Sequence, residues 1–241
     1  MKNKIFVILG NQLFNPNFIE KYKNDHLIFM CEDNGLCTYE KHHKQKILFF
    51  LSSMRSYADE LKNLQFDLIY KKIDEEEFTN SYCEKLLKEI KYRKITEISL
   101  HEIEDKRFED EILTSLRKKV KINYLDSPMF LSSRHEFKKY LDKVKKPFMA
   151  NFYKNQRLKH NILIETDGKP IGGKWSFDED NRKRVPKELD LPLNPIFEET
   201  IHTKDLKKIV NEKFTDHPGK TDGFWVCTNR KNVKKSLLFF I

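Results

Sequence analysis

Glu32, Tyr39, His43 and Lys46 sit close together in the stretch Glu32 to Arg55, and their types suit an electron-rich ring. A carboxylate accepts hydrogen bonds from a ring N–H or a sugar hydroxyl. A phenol stacks on a flat heterocycle, and an imidazole or ammonium donates to a carbonyl. Gly10-Asn11-Gln12 follows the first apolar run and adds two amides, with a glycine that permits close backbone approach. Plainer readings stand beside these. Gly10-Asn11-Gln12 also suits a strand-to-helix turn, and Glu32 also suits a surface acid paired with Lys44 or Lys46. The run Lys41 to Lys46 also suits a solvated basic helix end. His42 and His43 are adjacent, so on a helix they point about 100° apart and cannot both face one ligand; Tyr39, His43 and Lys46 would share one helical face, and His42 with Lys46 is another candidate pair. A His-His pair also lacks the spacing by which a helix presents metal ligands.

Other chemistry is hard to find. No Ser–His–Asp or paired-carboxylate arrangement is legible from spacing, so no catalytic residue is assigned. Gly172-Gly173-Lys174 lacks the spacing of a phosphate loop, and Asp167, Asp178 and Asp180 lack the full loop of a calcium site. They read as connector turns and caps. Cys31, Cys37, Cys83 and Cys227 contain no CxxC pair, so no metal site is assigned. Arg182-Lys183-Arg184 with Lys187, and Arg230-Lys231 with Lys234-Lys235, form basic clusters near Trp175 and Trp225. Phosphate contact with nucleic acid or plain solvated surface would each explain them.

The elements that must position these residues alternate. Ile5–Leu9, Leu27–Cys31, Asp67–Lys71, Ile95–Leu100 and Val120–Leu125 read as buried strands. Between them, Tyr39–Asn63, Phe78–Lys91 and Arg107–Lys118 read as helices. Ile47, Phe50, Leu51, Met54, Ala58 and Leu61 recur at the spacing of one buried face, and Thr38 is the candidate N-cap. Lys41, Lys44 and Lys46 then crowd the positive end of that helix, which costs about 0.3–1 kcal/mol per charge. Short apolar strands separated by helices predict an α/β fold, a Rossmann-like parallel five-stranded sheet covered on both faces. Such sheets take ligands beyond the strand C-terminal ends, where Asn11 and Glu32 would lie.

After Asp126 the pattern changes. Arg134–Leu141 and Pro147–Lys159 read as helices, and Gly168–Pro195 as an extended connector rich in Gly, Pro, Asp and Asn. Thr203–Phe214, with Thr203 as a plausible cap, and Asn229–Phe240 read as helices of an all-α region. The expected division is 1–130, a helical and extended connector over 131–193, and the start of a helical domain over 194–241. The chain closes on Leu237-Leu238-Phe239-Phe240-Ile241. Chain ends are normally polar and frayed, so these residues, and with them Ile209 and Phe214, are expected to lack cover within this chain and to pack on further protein or to self-associate.

At 34% charged and 39% hydrophobic, the 241 residues can build a substantial core. The net charge of +9 favours acidic partners, although a Lys-rich bias would produce the same balance. No signal peptide or membrane-length apolar run is legible, and unpaired thiols suit a reducing, cytoplasmic setting.

The pattern ExxxxCxYxxHHKQKIxFxxSxMR from Glu32 to Arg55 resembles the photolyase-related proteins, a family that includes the iron–sulfur bacterial cryptochromes and prokaryotic six-four photolyases. Ile8 to Leu13, Met149 to Tyr153 with Arg157, Pro170 to Asp178 with Asp180-Asn181-Arg182, and Phe224 to Thr228 follow in the same family order. The resemblance implies that 1–130 is an antenna domain for a lumazine chromophore, dimethylribityllumazine. It would be held by Gly10, Asn11, Gln12, Glu32, Tyr39, His43 and Lys46. It also implies that FAD, a 4Fe-4S cluster and most of the contact with damaged DNA belong to a C-terminal half beyond this chain, and that this chain alone lacks repair activity. Two other readings stay open: a stand-alone flavin- or nucleotide-binding light sensor, and an unrelated hydrolase or transferase on the same kind of sheet.

Overall fold

The structure is a computed structural model that describes residues 2–75, 79–190, 193 and 195–240. Five strands, β1 (Lys4–Val7), β2 (His26–Cys31), β3 (Leu68–Lys71), β4 (Glu97–His101) and β5 (Lys121–Leu125), pair in the order β3-β2-β1-β4-β5. Every pairing is parallel. Alternate residues of each strand feed different layers. Ile5, Val7, Phe29, Ile98 and Leu100 enter one core with Leu86 and Ile112, which come from α3 (Tyr82–Tyr92) and α4 (Lys106–Leu116). Phe6, Ile8, Ile28 and Met30 enter the opposite core with Met54, Tyr57 and Leu61 of α2 (Lys44–Asn63). The Rossmann-like parallel α/β sheet is therefore observed, with helices on both faces. The expected helix from Phe78 begins at Tyr82, behind a capping box between Ser81 and Glu84; Phe78 itself lies outside the described residues.

The start of α2 corrects the sequence reading. The helix begins at Lys44, not Tyr39, and Thr38 closes a short helix, α1 (Asn34–Thr38), instead of opening a long one. Asp33 caps α1 by accepting from the Leu36 N–H. His43 has extended backbone and caps α2, its Nδ1 accepting from Gln45 N at 3.1 Å. The next amide, Lys44 N, donates to Pro218 O at 2.9 Å. A distant part of the chain thus fixes where the helix starts, and local spacing could not report that.

Burial on α2 is also wider than one face. Ile47, Leu48 and Leu51 pack with Ile73, Phe224 and the buried residues Leu206, Val210 and Phe214. Leu206 and Val210 belong to α7 (Ile201–Lys213). The expectation that Phe214 would lack cover is corrected, because it is 1% exposed. The cap of α7 is Thr200; Thr203 is buried and within hydrogen-bond reach of Ser52 on α2. The last helix, α8 (Arg230–Phe240), has no buried residue, and Leu237 to Phe240 are exposed.

Residues 1–129 with 194–241 form one compact unit, and 130–193 form a second. In the second, α5 (Arg134–Lys143) and α6 (Met149–His160) meet through Phe137, Tyr140 and Phe152, whose rings lie 5.1 Å apart in two edge or tilted contacts. Arg157 is the buried residue of α6. It donates to the carbonyls of Ile162, Leu163 and Trp175, and its guanidinium lies 5.2 Å from the Trp175 ring. The segment that follows has no regular periodicity; a bridge between Ile164 and Pro170 and a 3₁₀ turn over Asp178–Arg182 organise it. Among the described residues, no helix is long and apolar enough to cross a membrane.

Candidate functional site

The sheet order places β1 between β2 and β4, whose following helices cover opposite faces. Ligands of doubly wound sheets bind in the crevice that this reversal opens beyond the strand ends. A cavity of about 210 Å³ lies there. Leu9, Gly10 and Asn11 form its floor after β1, and Cys31 and Asp33 follow from β2. Ile103 and Asp105 come from the β4 side. One wall carries Tyr39, His42, Lys46, Phe50 and Met54; the other carries Tyr82 and Phe108.

The two walls differ chemically. On the first, the Tyr39 and His42 rings meet edge-on at 5.0 Å, and the Lys46 ammonium lies 3.2 Å from His42 Nδ1. Burial and then the Lys46 charge lower the His42 pKa, which favours the neutral ring. With Nδ1 accepting, its Nε2–H remains a donor. On the second wall the Tyr82 ring stands against Phe29 and Phe108, at 5.8 and 5.2 Å. Tyr82 is 2% exposed and its hydroxyl has no hydrogen-bond partner. Burial, followed by the charges of Cys31 and Asp33, pushes this phenol well above its usual range, so it keeps its proton.

Four of the sequence-predicted residues, Gly10, Asn11, Tyr39 and Lys46, reach the cavity. The structure does not bring Gln12, Glu32 or His43 to its walls. Gln12 is buried and donates to Glu102 O at 2.7 Å and Glu104 Oε2 at 3.0 Å. Glu32 turns inward, where it accepts from both arms of Arg55, from the Tyr70 hydroxyl and from Ile73 N. It pairs with neither Lys44 nor Lys46. His43 packs on Gly219, where any side chain's Cβ would collide with the imidazole and where the φ of +80° also favours glycine. The shared helical face expected for Tyr39, His43 and Lys46 is absent because Tyr39 and His43 precede the helix, and His42 takes the place expected for His43.

His42, weighed from the sequence as a pair with Lys46 but not assigned to the site, lies 3.2 Å from that ammonium; sequence reasoning missed Asp33, Asp105 and Tyr82. Asp33 and Asp105 carried a signal, since each follows a strand and opens a helix. Tyr82 carried none, because its role depends on which groups lie opposite it.

Cys31 and Cys37 also reach the cavity. Burial pushes both thiols up to about 12, so neither supplies a thiolate nucleophile at neutral pH. Among the described residues, no cluster of three or more His, Cys, Asp or Glu is placed to hold a metal ion. A second cavity of about 480 Å³ shares Gly10, Asn11 and Phe50 with the first and continues between Phe14, Tyr57 and Arg230.

The fold and cavity define a doubly wound, Rossmann-like α/β unit with an aromatic and hydrogen-bonding cavity at its switch point. Its sequence gives the closer assignment. The chain belongs to the family described as deoxyribodipyrimidine photo-lyase-related protein, which matches residues 6–226. It is similar to a (6-4) photolyase of Agrobacterium fabrum, with 28% identity over 243 aligned positions that cover 99% of this chain and 48% of that protein. It is also similar to the uncharacterized protein R852 of Acanthamoeba polyphaga mimivirus, with 30% identity over 206 positions, 78% of this chain and 98% of the viral protein. The chain therefore spans about half the length of the (6-4) photolyase it matches.

Proposed function

We propose that this chain is the chromophore-binding portion of a photolyase- or cryptochrome-like protein, and that its switch-point cavity holds a lumazine-type antenna. The observation that carries the reading is the cavity itself, in a chain of this family. It offers aromatic and apolar cover for a flat ring from Tyr39, Phe50 and Met54, with donors from His42, Lys46 and Tyr82 around it. Asn11 adds an amide at the floor. Such a pigment, when bound, absorbs near-ultraviolet or blue light and passes the excitation to a flavin. An antenna pocket needs ring orientation and exclusion of water, not a nucleophile, and the raised thiols agree with that.

Light-driven repair, the flavin and damaged DNA as a partner belong to the same proposal at the level of a longer protein. Residues 130–193 carry 15 Lys and Arg against 9 Asp and Glu, a net +6 of the chain's +9. That concentration favours phosphate contact by this unit. A second reading, a ligand-binding light sensor without repair activity, is favoured by the viral relative, which is matched over 98% of its own length.

The test is titration of the purified chain with dimethylribityllumazine, followed by absorbance and fluorescence anisotropy. Saturable binding at one site, weakened by His42→Ala, is expected. Absence of any spectral shift or anisotropy change, with the chain folded, would overturn the reading.

A further inference from the structure

We infer that the 216–222 turn, which follows α7 and lies outside the lining of the cavity, sets the cavity's ligand affinity through its grip on the wall of Tyr39, His42 and Lys46, with His217 as the positioning residue. The inference rests on the reading above that this cavity binds a lumazine-type ring. Each residue from Lys41 to Gln45 meets the turn. Lys41 Nζ pairs with Asp216 Oδ2 at 3.1 Å. His217 Nδ1 lies 2.8 Å from His42 O; a carbonyl can only accept, so this nitrogen carries the proton. His43 packs on Gly219, Lys44 N donates to Pro218 O, and Gln45 Nε2 donates to Asp222 O at 2.9 Å. These contacts are not equal. The Lys41–Asp216 pair is exposed on both sides and so holds little. His217 is 7% exposed and fixes a backbone carbonyl, which makes its bond the firmer tie.

The turn is itself anchored away from the cavity. The Phe214 and His217 rings meet edge-on at 5.3 Å, and Asn211 Nδ2 of α7 donates to Thr221 Oγ1 at 2.9 Å. Phe214 and Phe224, on either side of the turn, are buried with α2. The wall segment has less support of its own, because residues 39–43 lie between the end of α1 and the start of α2. Its backbone is held by the turn, while the Tyr39 and His42 side chains reach the cavity. Fixing the His42 carbonyl from behind limits where its imidazole can point. A wall ordered in advance loses less conformational freedom when a ligand binds, and that difference appears as affinity. The coupling is reciprocal, so a ligand that needs the wall in place stabilises the turn that holds it.

The experiment measures dissociation constants of dimethylribityllumazine and of riboflavin on the wild-type chain, His217→Ala, His217→Asn and Ile95→Val. Asn keeps an N–H one bond beyond Cγ, where Nδ1 stands; Ala removes it. Ile95 is buried just ahead of β4, at the end of the sheet away from the cavity, so its variant lowers stability without touching the wall. His217→Ala should weaken lumazine binding about five- to tenfold, and His217→Asn should restore most of that loss. Ile95→Val should stay within about twofold of the wild type. Saturating lumazine should also slow amide exchange across 216–222 in the wild-type chain. Equal affinity in His217→Ala and the wild type overturns the positioning role and leaves the antenna reading standing. So does a loss in Ile95→Val as large as in His217→Ala, which would assign the effect to general stability. Exchange in the turn that lumazine leaves unchanged overturns the coupling. Riboflavin bound in place of lumazine, with the same ranking of variants, keeps the positioning role and overturns the lumazine reading. No binding of either compound to the folded wild-type chain overturns both.

Discussion

Arg55 grips Glu32 with both arms of its guanidinium, Nε to Oε1 at 2.7 Å and Nη2 to Oε2 at 2.9 Å, in a pair whose side chains are 6% and 0% exposed. The same carboxylate accepts from Tyr70 and from Ile73 N, and Arg55 also reaches Asp74. Burial alone would weaken the guanidinium's hold on its proton; the bonds to Glu32 override that and raise its pKa. The pair joins α2 to the ends of β2 and β3, and neither residue lines the cavity. It explains why the Glu32 to Arg55 stretch carries a motif without every motif residue reaching the cavity.

Glu32→Gln should destabilise the chain by about 3–5 kcal/mol, because Arg55 is left buried without its counter-charge. A Glu32→Leu, Arg55→Met double variant should recover much of that loss. Urea denaturation measures both. A Glu32→Gln chain that keeps its stability but loses lumazine affinity would return Glu32 to direct ligand contact.

Gly10→Ala should weaken ligand binding with a modest effect on folding. A methyl group at that position would stand 2.8 Å from Met54 Sδ, and Met54 is buried beside the cavity. The thioether must move, and the open side is the ligand's space. A loss of about 1 kcal/mol in affinity is expected, read by fluorescence titration. Unchanged affinity would mean that Met54 finds room elsewhere.

Hydrogen exchange should divide the C-terminal segment. Amides of α7 should be protected with the sheet, because Leu206, Val210 and Phe214 complete a core with α2. Amides of α8 should exchange fast, since no residue of that helix is buried. Equal protection of both helices in dilute solution would show that α8 acquires cover.

Stability should fall as pH drops below neutrality, with His101 contributing. Burial lowers its pKa from the ordinary 6.5, so the unfolded chain binds a proton that the folded chain resists. The contribution is fully present above 6.5 and is lost as pH falls toward the folded value. His101→Asn should flatten the decline in melting temperature between neutral and mildly acidic pH. A decline of the same steepness in the variant would assign it to other groups.

Arg157→Lys should loosen the second unit almost as much as Arg157→Ala. The guanidinium reaches three carbonyls in different directions, which one ammonium cannot do. Limited proteolysis between Ile162 and Trp175 should accelerate in both variants. Equal resistance in the Lys variant would show that charge alone suffices.

The period-2 and period-3.6 patterns were enough to specify the parallel sheet and its flanking helices, because alternate strand residues must enter different cores. The strand-end location of the cavity followed from that topology. Gly10, Asn11, Tyr39 and Lys46 were legible as well, since they adjoin strand ends or the first turn of α2. Only tertiary structure decided the rest. Pro218 sets the start of α2 by accepting from Lys44 N, and this exchanges His43 for His42 at the wall. Arg55, far along the same helix, turns Glu32 away from the cavity. The packing of Phe29 and Phe108 buries the Tyr82 ring and leaves its hydroxyl without a partner. Periodicity reports which face of an element is buried; which polar atom meets which across that face depends on residues distant in the chain, and no local pattern encodes it.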